Sequence, residues 1–201
     1  IPNLLLKETV VGLILIAIVM SISVFINAPL EDMANAGLSP NPAKAPWYFA
    51  GLQELLLHFH PFFAAFLIPL IMISFFVCLP FINPDRTRSG IWFISEKGKK
   101  TSLISFFTGL FITPVIILAE HIIGTPAFLS NIPGWISTGI IPMGLLFCFL
   151  LVYLFLIKRR FNLVRAETIQ AAFTLIITVF VALTITGIWF RGENMKLVWI
   201  L

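Results

Sequence analysis

Charged residues are scarce in this sequence. Lys, Arg, Asp and Glu make up 11% of its 201 residues, whereas a soluble domain carries about a quarter. Five long apolar runs contain none of these four residue types. A charge near the centre of a membrane span costs about 2.5–3.5 kcal/mol on insertion scales. This pattern therefore indicates an integral membrane protein and excludes an ordinary soluble domain.

Cysteine and histidine are also rare, which restricts the metal chemistry. The cysteines, Cys78 and Cys148, are embedded in apolar runs, and no Cys-x-x-Cys-His motif for attaching a c-type haem is present. A b-type haem held by two histidines needs them on facing helices, but the histidines here are His58, His60 and His121. We therefore expect this chain alone to bind no haem and no metal.

The apolar runs are long enough to cross a hydrocarbon core of about 30 Å, which takes roughly 17–25 helical residues. The mean hydropathy of +1.03 agrees with this interpretation. The sequence predicts an all-α integral membrane protein with five transmembrane helices. The predicted spans are residues 10–26, 61–82, 101–119, 135–157 and 168–190.

Basic residues predict the orientation of the spans. The link 83–100 holds five Lys or Arg residues and the link 158–167 holds four, whereas the link 27–60 has only Lys44. Since Lys and Arg concentrate in cytoplasmic links, we expect the two basic links and the N-terminus inside. The C-terminal tail, residues 191–201, is then outside. The net charge of +4 is an orientation signal and does not indicate nucleic-acid binding.

The segment 41–61, with the sequence NPAKAPWYFAGLQELLLHFHP, lies in the first external loop. Pro46 suits the first turn of a helix, so we expect a short helix over residues 46–58. Its aromatic residues cannot all face water, and the helix therefore lies in the membrane interface or folds back onto the protein. Polar groups are then held beside apolar surface, which is the setting of a lipid-soluble substrate that carries protons. These groups are Tyr48, Gln53, Glu54, His58 and His60.

Each polar residue here has two interpretations. Glu54 is either a solvated acid that complements the helix dipole or a proton acceptor whose pKa is raised by apolar surroundings. Tyr48 either binds a substrate oxygen or anchors the loop among interfacial aromatics. His58 and His60 either pack in the interface or relay protons. Glu120, at the end of the third span, is interpreted as an interfacial polar residue.

Several segments resemble one known family. The stretch KAPWYFAGLQELL resembles the quinol-oxidation loop in the C-terminal part of cytochrome b of bc-type quinol–cytochrome c oxidoreductases, particularly the split-gene bacterial menaquinol enzymes. There this part is a separate subunit, similar to subunit IV of the photosynthetic complex. LLLKETVVGL resembles the lead into the first span of that subunit. PFINPD resembles the exit of its second span, and GIWFRGENMKLVW resembles its end. The resemblance covers residues 1–90 and 165–201.

The sequence departs from this family at two points. Aligning on Trp47 and Tyr48 puts Ala45 and Pro46 where the family signature Pro-Glu-Trp-Tyr has its Pro and Glu. The acid thought to accept a quinol proton is therefore missing from its usual place. Subunit IV also has three spans, whereas five are predicted here, and residues 101–157 have no counterpart.

The resemblance implies an enzyme subunit without a complete active site of its own. It would help form a quinol-oxidation site on the positive side of a bacterial energy-transducing membrane, in respiratory electron transfer coupled to proton translocation. Glu54 would act as the proton acceptor and His58 and His60 as a possible relay. The substrate-binding residues would be Pro46, Trp47, Tyr48, Phe49 and Gln53.

The resemblance also implies partners. The b-type haems lie on an N-terminal cytochrome b subunit and the 2Fe–2S cluster on a Rieske protein, and a c-type cytochrome accepts electrons within a dimeric complex. Residues 1–90 would hold the first two spans with the loop 27–60, and residues 91–201 three further spans and the external tail. The alternative function is a redox-inactive transporter or structural anchor, in which the loop is a lid or a docking surface.

Overall fold

The structure, a computed structural model, describes residues 2–26, 33, 35, 37, 41–82, 93, 95–124 and 131–198. The described residues are predominantly helical and form no β-strand, so the predicted all-α class is confirmed. They divide into two compact units, Ile1–Ser39 and Pro40–Leu201. The first unit holds one apolar helix, α1 (Pro2–Phe25), whose side chains are almost all exposed. The predicted division at residue 90 stays a prediction.

The described residues of the second unit form five further α-helices. Within the part of the chain that the structure describes, four helices are long and apolar enough to cross a membrane, and they overlap the first, third, fourth and fifth predicted spans. The second predicted span contains a shorter apolar helix, Phe63–Leu79, so a count of five spans stays a prediction. The helices are α2 (Trp47–His58), α3 (Ile68–Ile82), α4 (Glu96–Ile123), α5 (Ile141–Phe161) and α6 (Arg165–Trp189).

Proline changes the helical geometry at the start of α3 and of α5. Each is preceded by a π-helical turn, Phe63–Leu67 or Ile136–Ile140, and a proline follows each turn within two residues. In an α-helix the Thr138 carbonyl would accept from residue 142, but that residue is Pro142 and has no N–H. The backbone N–H of His60 donates to this carbonyl at 2.8 Å instead. The loop after α2 is thereby fixed to the start of the α5 segment.

Helices α4 and α6 run parallel and in close contact. Ser95, which precedes α4, donates its hydroxyl to Glu167 in the first turn of α6. Further along, a Cβ on Gly109 of α4 would lie 3.0 Å from the Cβ of Thr178 on α6. Small side chains at this interface let the two backbones approach, as is common between helices in membranes. Buried small side chains on the two helices include Ser102, Ser105, Gly109 and Thr113 on α4 and Ala171, Ala172, Thr178 and Ala182 on α6.

The short helix α2 packs against the C-terminal part of α6. A Cβ on Gly187 of α6 would lie 2.9 Å from the Ala50 carbonyl oxygen, so only glycine permits this approach without a shift of the backbone. The predicted helix over residues 46–58 is confirmed except that Pro46 precedes its first residue. The helix does pack against α6, and its placement in the membrane interface stays a prediction.

The parallel packing brings the described basic residues of both links to one end of the unit. Lys100 in α4 lies over the ring of Phe161 at the end of α5, 5.9 Å from its centroid. Glu54 of α2 and Glu120 of α4 lie at the opposite end. The described basic residues of the two links therefore lie at the opposite end from Glu54 of the first loop, as the predicted alternation of the links requires. Arg86 and Arg88 lie outside the described residues.

Candidate functional site

Four ionisable side chains meet where α2 lies against the ends of α4 and α6. They come from α2, from the last turn of α4 and from the segment after α6, and we call them the charge cluster: Glu54, His58, Glu120 and Arg191. Two are acidic and two are basic. Because an isolated buried charge is very costly, this mutual pairing is what permits Glu54, His58 and Arg191 to lie largely buried here.

Glu54 is the innermost member of the charge cluster. Its side chain is 0% exposed. The Arg191 Nε lies 3.1 Å from each of its carboxylate oxygens, and the Arg191 Nη2 makes a further short contact with Oε1. Glu54 Oε1 also lies 3.1 Å from His58 Nε2. The forked guanidinium suits a carboxylate in this way, so Glu54 is held from two directions.

His58 joins the buried acid to a more exposed one. One turn after Glu54 on α2, its Nε2 faces Glu54, while its Nδ1 forms a short hydrogen bond with Glu120 Oε2. The His58 side chain is 14% exposed and that of Glu120 is 45% exposed. Since both ring nitrogens face carboxylates, the doubly protonated imidazolium satisfies both contacts as a donor. The histidine thus connects the interior of the site with its surface.

These contacts decide the protonation states. Burial alone would raise the pKa of Glu54, but the hydrogen bonds from His58 and Arg191 and their positive charges outweigh it and lower this pKa below its usual value. The prediction of a raised Glu54 pKa is therefore wrong, because it considered the apolar surroundings without the partners. Burial alone would lower the pKa of His58, whereas Glu120 and Glu54 together raise it to about 9.

Arg191 is held by a compact turn that follows α6. Its Nη1 donates to the Met195 carbonyl at 3.0 Å, and its backbone pairs with Leu197 in an antiparallel bridge. Asn194 exchanges hydrogen bonds with Asn41, at 3.0 Å between the side chains and 2.6 Å from its backbone N–H. The turn is thus tied both to the arginine and to the segment that leads into α2.

The predicted residues Gln53 and Pro46 shape the start of α2. The Gln53 amide accepts from the Ala45 N–H at 2.7 Å and donates to the Ala43 carbonyl at 2.6 Å. Lys44 donates to the Ile188 carbonyl of α6 at 2.9 Å. Pro46 is the residue immediately before the helix, in an extended conformation. Their observed contacts position the helix, and a role in substrate binding stays a prediction.

The aromatic residues and His60 lie apart from the charge cluster's contacts. The triplet at the start of α2 is exposed, at 71% for Trp47, 57% for Tyr48 and 52% for Phe49. The Tyr48 ring lies 5.6 Å from that of Trp47 and 5.1 Å from that of Phe49. His60 Nδ1 accepts from a neighbouring backbone N–H at 3.3 Å. Of the two predicted relay histidines, the structure brings only His58 to Glu54.

An apolar cavity of about 290 Å³ lies between α4, α6 and the turn after α6. It reaches the same end as the charge cluster, since Phe190 in its wall precedes Arg191, and Ile117 lies one turn before Glu120. The Thr186 hydroxyl in the wall is satisfied by its own helix, through the Ala182 carbonyl at 2.9 Å. The cavity walls are therefore suited to an apolar group. The lining residues are Leu110, Pro114, Ile117, Leu118, Ala182, Ile185, Thr186, Phe190, Leu197 and Val198.

Sequence reasoning named Glu54 and His58 but missed Arg191 as a site residue and gave Glu120 no role beyond the interface. Arg191 is 137 positions from Glu54, and Glu120 is 62 from His58, so no local pattern links them. Within the described ranges, no three His, Cys, Asp or Glu side chains are grouped to hold a metal ion. Comparisons of the chain with protein-family models, curated proteins and solved structures found no match.

Proposed function

We propose that this chain is a membrane-spanning, subunit IV-like subunit of a bc-type quinol–cytochrome c oxidoreductase and forms part of its quinol-oxidation site. The observation that carries the proposal is the charge cluster, which lies at the same end of the long apolar helices α4 and α6 as an apolar cavity that these helices line. A quinol has an apolar body and two hydroxyl groups that lose protons on oxidation. Its oxidation therefore requires apolar walls together with ionisable groups.

The exposed surface of the helices supports a place in a membrane complex. None of the most apolar stretch of α1 is buried. In the helix Ile136–Phe161, only 6% of the most apolar stretch is buried. Surface of this kind is stable against lipid or against other apolar helices. The implied partners are the haem-bearing cytochrome b subunit, the Rieske protein and a c-type cytochrome, with the quinol supplied from the lipid phase.

The chemistry divides between this chain and its partners. Oxidation of a quinol to a quinone releases two electrons and two protons. In the proposed complex one electron passes to the Rieske 2Fe–2S cluster and the other to a b-type haem, both on partner subunits. This chain contributes the apolar wall and ionisable groups, and the protons leave on the positive side of the membrane. Glu54 and His58 remain the predicted proton-handling residues.

The test is purification of the chain from the cell that makes it. An affinity tag on the chain should recover, in mild detergent, a complex with b-type haem absorption and with turnover of quinol and cytochrome c. Mass spectrometry should identify a Rieske-type protein in the same preparation. An untagged strain provides the control. A tagged chain recovered intact with protein partners but with no haem and no quinol oxidation would favour the transporter or anchor alternative.

A further inference from the structure

Exposure separates the two acids of the charge cluster. Glu54 is fully enclosed and its oxygens face Arg191 and His58, so a substrate hydroxyl has no route to it in this structure. Glu120 is 45% exposed and contacts the same histidine from the outer side. A group that takes a proton from a substrate must come within hydrogen-bond reach of the proton. Of these two acids, only Glu120 is exposed enough for a substrate to approach its carboxylate.

We propose that Glu120 is the catalytic residue that takes a proton from quinol in the site described above, and that Glu54 and Arg191 are positioning residues that act through His58. This inference rests on the proposed function and assigns the proton-accepting role to a different acid from the one that the sequence favours. It gives each member of the charge cluster a distinct task.

The hydrogen-bond pattern supports this division. His58 Nδ1 holds Glu120 Oε2. The other carboxylate oxygen has no hydrogen bond to any of the described residues, so this half-exposed side chain can turn it towards a substrate. On the opposite side of the ring, Glu54 Oε1 holds Nε2 at 3.1 Å. Arg191 fixes that carboxylate through both of its oxygens. The imidazole ring is thus oriented from behind, in the way that a carboxylate orients a catalytic histidine.

In the proposed step the quinol gives up one proton and one electron. The O–H bond of the quinol breaks, its proton forms a bond to a Glu120 carboxylate oxygen, and one electron leaves to the 2Fe–2S cluster of the partner Rieske protein. The product at this stage is a neutral semiquinone, which would give its second electron to the b-type haem of the partner subunit and lose its remaining hydroxyl proton to water, so that the quinone forms. Protonated Glu120 then releases its proton to water, which its exposed position allows. His58 keeps its proton throughout.

The pH dependence of quinol turnover is determined by His58 and by the three charged groups that face it. The groups that face His58 among the described residues are Glu54 from its own helix, Glu120 from α4 and Arg191 from the turn after α6. His58 is protonated at neutral pH because these carboxylates raise its pKa to about 9. Quinol turnover should therefore fall as the pH rises through about 9, because His58 then loses the proton with which it holds Glu120.

The experiment uses the whole purified complex with Glu120→Gln, Glu54→Gln and a matched control, Glu193→Gln. Glu193 is an exposed acid in the turn after α6, so its variant removes the same charge near the same end of the unit. With haem content unchanged, Glu120→Gln should lower kcat by roughly 10²–10⁴, the usual scale for a lost general base. Glu193→Gln should keep wild-type turnover.

The positioning role has its own readout. Glu54→Gln should retain much more activity than Glu120→Gln, but its alkaline limb should move to lower pH because His58 has lost one of its two carboxylates. If Glu54→Gln loses as much activity as Glu120→Gln and its alkaline limb does not move, the proposal is overturned in favour of Glu54. A kcat near the wild-type value in Glu120→Gln would also overturn this inference. The proposed function would still stand in that case, because the wild-type complex oxidises quinol.

A second variant covers the case in which Glu120→Gln fails to assemble. Glu120→Asp keeps the carboxylate that pairs with His58, and redox-difference infrared spectra can then be compared with the wild type. We expect a protonated-carboxyl band that appears during quinol oxidation and changes frequency in Glu120→Asp. A band that is identical in both complexes overturns the assignment. A wild-type complex without any quinol turnover overturns both this inference and the proposed function.

Discussion

Removal of Arg191 tests the charge cluster most directly. Arg191→Gln would leave Glu54 fully buried with His58 as its remaining cationic partner, and His58 is shared with Glu120. Breaking a buried ion pair from one side costs about 3–5 kcal/mol because an uncompensated charge remains. Since His58 still compensates in part, we expect a loss near the lower end, about 3 kcal/mol in the free energy of unfolding.

The double variant Glu54→Gln/Arg191→Gln gives the second half of the test. It removes one negative and one positive charge together, which leaves His58 and Glu120 as a balanced pair. It should therefore be more stable than Arg191→Gln, with a coupling energy of at least about 2 kcal/mol in a double-mutant cycle. A simple sum of the two single effects would refute an energetic link between Glu54 and Arg191.

The assay is unfolding of the purified protein in mild detergent, followed by circular dichroism at pH 7. The matched control is Arg160→Gln, since Arg160 is an exposed residue at the end of α5, and its effect should stay within about 0.5 kcal/mol. Acidification provides a further check, because protonation of Glu54 relieves the unpaired charge. The destabilisation of Arg191→Gln should thus shrink as the pH falls. An Arg191→Gln variant as stable as the control would refute the reasoning.

Three other measurements address the pairing, the packing and the orientation. The pKa of His58 is raised from 6.5 to about 9, which corresponds to about 3 kcal/mol of stabilisation by the protonated ring. In a series of denaturation measurements this stabilisation should be complete below pH 6.5 and should disappear as the pH rises through 9. His58→Gln should abolish this loss of stability at alkaline pH. Gly187→Ala should destabilise by about 1–3 kcal/mol because its Cβ would lie 2.9 Å from a carbonyl oxygen, whereas Gly144→Ala, which has open space, should not destabilise. A reporter fused after Lys100 should respond as cytoplasmic and one after Leu201 as external, and the opposite responses would contradict the orientation.

The helices of this protein follow largely from local sequence. Uninterrupted apolar runs predicted four of the long helices, and Pro46 followed by an amphipathic stretch predicted α2 to within one residue. The start of the second run was less predictable. Pro69 follows the π-helical turn Phe63–Leu67 there, and hydropathy carries no information about such a change in helical geometry.

The candidate site was only half predictable. Glu54 and His58 are one helical turn apart, so they could be placed together from sequence. Their partners Arg191 and Glu120 come from distant segments, and the sequence offers no signal that pairs them. The sign of the Glu54 pKa shift was wrong for this reason: burial and pairing act in opposite directions, and only burial could be inferred from apolar neighbours.

The position of α2 depends on the far end of the chain as much as on its own residues. Polar contacts along the α2 segment link it to residues 188–194, among them Lys44 with the Ile188 carbonyl, Glu54 with Arg191, and Asn41 with Asn194. They lie on either side of the close approach between Ala50 and Gly187. Because these contacts surround the helix that carries His58, the ring of His58 is held at a fixed distance from α4. That fixed placement is what lets a histidine in a loop helix orient an acid on a different helix.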